Sequence, residues 1–502
     1  MGVLAASRVD RKTVFTAALA ISNLALLIGY PLFLKERALS WAAARPDPVD
    51  AYYYSAVFEN LEYPVAIAAA LLTLAFLFRT PFANFIKSIS PKQLLVGGIL
   101  LACVGCTFLA VYVQTVPISD AKHYLDHATR LFETGRYISN DGTPTAFWPV
   151  GYPALLAGLI ALVGKNLLWI RLLHVLLYVL LGFLVFRVFR HGFTNWVAAL
   201  TTAGFLLSPN ILFSPNALLA ELPFLVTIFG VFAVLVSHDR LSWGRVLFAG
   251  VLTGVAILIK PIGVVALLPA IWLVYRKSER RRFARIAVLT TTALVVLSPW
   301  IIRNSVVFES WTGVATNGGL NLLIGNHAGA SGKYTHDNLP ELHSVNEALR
   351  DREAMQLAIE HIVGDPVAAL ARIPKKLFYS LWRGDAFVTW SLKETSVEVP
   401  AGFKSAAFYF ANLFHAVSLL GLLLMLVRIR RMWAFGIARH IWYLLGLGLF
   451  TAVAVFFGSE RFLLPILPFQ IALLIEWLTN GGRVQPSGKP LHANTINGAK
   501  SP

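Results

Sequence analysis

Apolar runs of about 20 residues recur along the chain, separated by short basic or polar connectors. Leu94–Val116 and Leu167–Phe189 each approach the length that one helical crossing of a bilayer needs. Lipid offers backbone groups no hydrogen-bond partner, and the period-two alternation of barrel strands is absent, so these runs read as helices. Spans are predicted near 14–34, 62–79, 94–116, 167–189, 196–213, 217–236, 245–259, 262–275, 285–305, 406–427, 437–457 and 462–478, about twelve in all. Tyr152–Gly164, opened by GYP, is too short to cross and reads as an interfacial or re-entrant helix. Two polar stretches interrupt the apolar pattern at length, 117–151 and about 306–404. The second is large enough for a small lobe, and NEALRDREAMQLAIEHI (346–362) within it has the apolar spacing of an amphipathic helix.

Composition agrees: 57% of the 502 residues are hydrophobic and only 14% charged, unlike a soluble globule. The net charge of +17 changes the picture through its distribution. With the N-terminus inside, the inner connectors hold Arg79, Lys87 and Lys92, then Arg187 and Arg190, then Arg240 and Arg245. RKSERRRFAR (276–285), RIRR (428–431) and the C-terminal tail complete a set nearly free of acids. That is the bias of cytoplasmic loops, a topology signal and not a nucleic-acid footprint. Counting Tyr152–Gly164 as a span would reverse it downstream. The same logic divides 245–275 into two short helices with Lys260-Pro261 at the outward tip, because proline disfavours helix at the residue before it. Both termini are then cytoplasmic. Cys103 and Cys106 lie in one apolar span and read as small residues at a helix contact, with no disulfide framework. The first apolar run follows Arg8, Arg11 and Lys12 without a clear cleavage site, and reads as an anchor.

Once the sides are assigned, the unusual polar residues sort to one face: Asp120 in SDAKHY, Glu221 in AELPF, Lys260, Arg303 with Asn304, and Ser459-Glu460-Arg461. Ionisable groups in or beside spans are costly and tend to mark function. Each also has a plainer reading. Asp120 could be a solvated loop acid, Glu221 a helix-pairing group, and Lys260 a snorkelling lysine. Arg303 and Arg461 could anchor the interface, and Arg171 and His174 could be packing polar residues. Convergence of mixed charges on one face argues for a site, and a carboxylate base beside several cations suits transfer from a phosphate-linked donor.

Beyond that reading, SDAKHYLDHATRLFETGRY (119–137) resembles the first-loop signature of GT-C membrane glycosyltransferases, and more narrowly of the protein O-mannosyltransferase and aminoarabinose transferase superfamily, bacterial branch. GTPTAFWPVGYPALLAG (142–158), WIRLLHVLL (169–177), LLAELPF (218–224), LIKPIG (258–263) and SPWIIRNSVVFESW (298–311) fit the same pattern in order. So do NGGLNLLIGNHAGASGKY (317–334), DPVAALARIPKKLFYSLW (365–382) and SERFLLPILPF (459–469). The chain departs from it with residues 1–90 ahead of the family's first span, with Ala220 before Glu221, and with Ala121 after Asp120 where many O-mannosyltransferases have Glu.

The resemblance implies an all-α polytopic fold with an outward interfacial-helix loop and a small outward lobe. Together with the spans placed above, it gives this division: 1–93 as a two-span hairpin extension, 94–305 as membrane catalytic core with first outer loop 117–151, 306–404 as outward lobe, 405–480 as C-terminal spans, and 481–502 as a disordered cytoplasmic tail. The implied activity is inverting transfer of a sugar from a polyprenyl-phosphate donor to a cell-envelope acceptor (lipid, glycan or protein), at the outer face of the plasma membrane. Asp120 is the implied general base. Lys260, Arg461 and Arg303 would face the phosphate, Glu221 the sugar or a cation. Trp148, with Tyr124 and Arg171, would contribute to substrate binding. The sequence shows no nucleotide-sugar site, P-loop or DxD pair, so no cofactor is expected, and nothing in it argues for a metal. A polytopic transporter or lipid flippase is the alternative reading, and a non-catalytic scaffold a third. Transporters place their charges near the midplane on broken, repeated helices; here the charges gather at one face.

Overall fold

The computed structural model describes residues 35–44, 84–85, 88–238, 240–429 and 437–480. These residues are mainly helical, with irregular stretches at 135–150, 308–317 and 327–346, isolated β-bridges and no strand among them. The expected spans at 14–34 and 62–79 and the tail 481–502 lie outside the described residues.

In chain order the helices are α1 (Lys35–Ala43), α2 (Pro91–Tyr112), α3 (Ser119–Thr134), α4 (Gly151–Val163), α5 (Leu167–Phe189), α6 (Asn195–Leu206), α7 (Pro209–Ala217), α8 (Glu221–Val236) and α9 (Trp243–Ile259). They continue as α10 (Leu267–Lys277), α11 (Arg282–Val307), α12 (Gly318–Asn326), α13 (Glu347–Gly364), α14 (Pro366–Leu381), α15 (Ala386–Lys393), α16 (Ala401–Val427), α17 (Ile437–Val455) and α18 (Leu467–Asn480). Short 3₁₀ turns, Pro261–Ala266 and Glu460–Ile466, lead into α10 and α18.

Local chemistry explains many of the boundaries. Ser90 and Gln93 form a capping box with Pro91 in the first turn of α2. Asn166, Thr194, Ser242, Asn346 and Asp365 accept from first-turn amides of α5, α6, α9, α13 and α14. α3 stops at Gly135, left-handed at φ 67°.

Among the described residues six stretches are long and apolar enough to cross a membrane: α2, α5, α11, α16, Ala438–Val455 and Glu460–Thr479. α6 and α7 form a further, broken one, bent by 51° at Leu207-Ser208. α4, α8 and α9 are shorter apolar helices. The break expected at Lys260-Pro261 is present: α9 ends at Ile259, and Lys260 is extended at φ −145°. Cys103 and Cys106 are free thiols one turn apart on α2.

At one end of the bundle Trp442 of α17 stacks 4.7 Å from Phe189 and 6.0 Å from Phe469, with Phe229 and Phe232 against its other sides. Beside it Glu476 pairs with Arg439 at 2.6 Å and Arg428 at 3.0 Å. At the opposite end α12 and α13 pack into a lobe over Leu323, Ala354 and Ala358, with α14 against both helices. That lobe closes on the first loop: Glu347 accepts from Ala146 N and Thr145 Oγ1 at 2.8 Å, and from Thr316.

Candidate functional site

Four helix ends meet beneath the lobe. Asp120 lies in the first turn of α3, and Glu221 opens α8 after Leu218 turns the chain through the left-handed region. Lys260 is the C-cap of α9, and Arg461 sits in the 3₁₀ turn ahead of α18. Acids at helix starts and a cation at a helix end each sit where the peptide dipoles favour them.

The charges form one chain. Arg461 Nη1 donates to Asp120 Oδ2 at 3.0 Å and lies 3.4 Å from Glu221 Oε1. Lys260 Nζ donates to the same Glu221 oxygen at 2.6 Å. The Glu221 side chain is only 4% exposed, and Lys260 and Arg461 are the two cations that meet it there. The Arg461 guanidinium also stacks 4.7 Å over the Trp390 ring. Phe224, Ile262 and Phe462 line the small cleft onto which Glu221, Lys260 and Arg461 open.

Aromatic rings wall the Asp120 side. Tyr124, one turn along α3, packs edge-on against Trp148 at 5.2 Å and Tyr152 at 5.1 Å. Burial, then the charges of Asp120 and Glu221, pushes its hydroxyl well above the usual tyrosine range, so it stays protonated. Trp148 lies over His123 at 5.4 Å, and its carbonyl accepts from Tyr137 Oη at 2.8 Å. The Tyr152 hydroxyl meets His174 Nε2 at 3.1 Å, and His174 Nδ1 faces the Ile170 carbonyl at 2.8 Å.

Not every residue singled out from the sequence stands in this cluster. Arg303 reaches back to the first loop, donating to Tyr137 O at 2.7 Å and Thr145 O at 2.8 Å while stacking on Trp300 at 4.9 Å. It holds the loop that carries Trp148. Arg171 is buried against the Thr115 carbonyl, with its Nε 3.4 Å from Asn216 O. It ties the ends of α2, α5 and α7 together. Asp120, Glu221, Lys260 and Arg461 are the four brought into direct contact.

Two residues were not singled out. Trp390 had no signal in the sequence, because its role exists only through the folding of α15 onto the Glu460–Ile466 turn. Tyr334 closes one of the recognised blocks. It packs 5.1 Å from Phe457, and burial followed by the Asp120 charge raises its hydroxyl above the usual range.

Residues 148–302 match the family described as dolichyl-phosphate-mannose-protein mannosyltransferase. The matched segment is less than a third of the chain. It contains Trp148, Arg171, Glu221 and Lys260; Asp120, Arg303 and Arg461 lie outside it. No curated protein matches the chain. Among solved structures, ArnT from Cupriavidus metallidurans bound to undecaprenyl phosphate is similar at 17% identity and TM-score 0.37, covering 77% of each chain. Its apo state gives 17% identity and TM-score 0.38 over 78% of each chain.

Proposed function

We propose that this chain transfers a sugar from a polyprenyl-phosphate donor to a hydroxyl-bearing acceptor of the cell envelope, at the extracytoplasmic membrane face. The observation that carries the reading is the Asp120–Arg461–Glu221–Lys260 chain of charges. The family matched by residues 148–302 supports it, since its description names a dolichyl-phosphate-linked mannose.

The chemistry follows from the leaving group. The acceptor oxygen attacks the anomeric carbon from the side opposite the phosphate, so the new glycosidic bond forms as the old carbon–oxygen bond breaks with inversion. Asp120 takes the acceptor's proton. The departing lipid phosphate is stable as an anion, and no second carboxyl is required to protonate it; a glycosidase, whose leaving group is an alkoxide, does need one. What the reaction needs is positive charge where phosphate charge grows, and Lys260 and Arg461 supply it.

The ion pairs give the site an order of events. In this arrangement Arg461 occupies the Asp120 carboxylate, donating to its Oδ2 at 3.0 Å. A donor phosphate competes for the guanidinium, drawing it from Asp120 and exposing the base only when donor is bound. Glu221 keeps Lys260 in place meanwhile, and the rings of Trp148, Tyr124 and Tyr152 offer a flat wall to a sugar.

The test is transfer by purified chain from polyprenyl-phosphate sugars to an envelope extract, wild type beside Asp120→Asn. The amide cannot accept the proton, so the rate is expected to fall by at least roughly 100-fold with folding intact. An Asp120→Asn variant as active as wild type would remove the base assignment. Solute uptake into vesicles, with no transfer from any donor, would favour the transporter.

A further inference from the structure

The lobe carries a buried cation of its own, Lys376 on α14. Its side chain is fully buried, and among the described residues no carboxylate meets it. Its Nζ instead donates to Asn326 Oδ1 at 2.9 Å, Ala454 O at 3.0 Å and Val455 O at 3.2 Å. Asn326 Nδ2, on α12, donates to the same Val455 carbonyl at 2.9 Å. Ala454 and Val455 are the last residues of α17, whose final carbonyls have no helical partner and carry the negative end of the dipole. Lys376 and Asn326 therefore cap α17 from outside the bundle.

A short strap runs from that cap to the charge cluster. Gly458 N donates to Gly332 O at 2.8 Å, and Ser459 N donates to Ser380 Oγ at 3.0 Å. Gly458 lies so close to α14 that a Cβ there would meet the Lys376 carbonyl, and stand 2.7 Å from Tyr379 Cβ. Two residues beyond Ser459 is Arg461, which bridges Asp120 and Glu221. A buried ammonium without a counter-charge is an expensive cap for stability alone. Burial, then Arg372 on the same helix, lowers its pKa to about 8.

We propose that Lys376 is a positioning residue: by holding the end of α17 it fixes residues 456–461 and sets where the Arg461 guanidinium stands between Asp120 and Glu221. The catalytic meaning of that position rests on the glycosyl-transfer reading; the mechanical claim does not. The lobe thus sets both sides of the site, the first loop through Glu347 and the Arg461 strap through Lys376.

The experiment uses the full chain in lipid nanodiscs, with Lys376→Met, Arg461→Met and the double variant, and Ser380→Ala as a milder release of the strap. Hydrogen exchange at the Gly458 and Ser459 amides is expected to quicken at least tenfold in Lys376→Met, with α5 unchanged, and less in Ser380→Ala. In thermal unfolding the double variant is expected to lose clearly less than the two single losses added, because a released strap already weakens the Arg461–Asp120 pair. With a polyprenyl-phosphate sugar as donor, kcat/KM is expected to fall about tenfold in Lys376→Met and no further in an Arg461→Met background. Unchanged exchange at Gly458 and Ser459, or additive losses on unfolding, overturns the proposal. If Lys376→Met does not fold, Ser380→Ala decides through the same exchange and unfolding measurements. Wild type that transfers no sugar from any donor sinks the transfer reading alone, since neither of those measurements needs turnover.

Discussion

Arg461 is the residue on which the cluster turns. One nitrogen serves Asp120 at 3.0 Å and approaches Glu221 at 3.4 Å, while the guanidinium plane rests on Trp390. Lysine keeps the charge but loses the planar stacking surface. Arg461→Lys is expected to fold normally and to lose about tenfold in kcat/KM, about 1.4 kcal/mol of barrier, measured with a polyprenyl-phosphate donor. A variant with unchanged kcat/KM would mean that Arg461 contributes charge alone. Arg303 and Arg171 show that a charge at the right end of a span need not join the cluster. Both spend their donors on backbone carbonyls, Arg303 on those of the loop that carries Trp148.

The helices are set in place by their ends, and α13 shows how. Asn346 caps its start, Glu347 reaches to the first loop, and Asp351 Oδ1 accepts from Gly319 N of α12 at 2.7 Å. Glu353 accepts from the His343 and Ser344 amides at 2.9 Å each, and these bonds hold its carboxyl down at about 2. A carboxylate depressed in the folded state contributes stability above its ordinary pKa and loses it as pH falls toward the folded value. The anchoring of 343–344 is thus expected to be complete near neutrality and to fade between about 4.5 and 2, the ordinary and the folded values. Hydrogen exchange at His343 and Ser344 against pH checks this, with Glu353→Gln as reference. Equal pH dependence in the two proteins would show that another group governs the loop.

For the whole molecule, the site depends on short elements docking without gaps. α4 meets the end of α9 at Gly151, where a Cβ would stand 2.6 Å from Ile259 N and 2.7 Å from Leu258 O. Those are backbone atoms, and the next residue is Lys260. Gly151→Val is expected to push α4 off α9, costing about 1–3 kcal/mol of stability, and to displace Lys260 from Glu221. Unfolding temperature and kcat/KM should fall together, the latter by about tenfold. A full-rate Gly151→Val variant would separate Lys260 from the reaction. The same docking makes α4, whose 13 residues are too few to cross a bilayer, a wall of the site through Tyr152.

The sequence by itself determined the helical, membrane-embedded character of the chain, because apolar length and the absence of backbone partners in lipid leave no other solution. It also determined the break at Lys260-Pro261, the short α4 and the presence of a helix at α13, since proline, length and spacing act locally; the face that α13 buries was not read, for Ala348, Ala354 and Ala358 are buried while Leu349, Met355 and Ile359 are exposed. Asp120, Glu221, Lys260 and Arg461 could be chosen as charges at helix ends. Their pairing could not be read, because it joins positions up to 341 residues apart through the packing of four helix ends. Only the tertiary structure separated Arg303 and Arg171 from that cluster, put Trp390 beneath Arg461, and tied the lobe to the site through Glu347 and Lys376. Those outcomes depend on which carbonyl or ring lies within reach of a side chain, and only the folded backbone settles that.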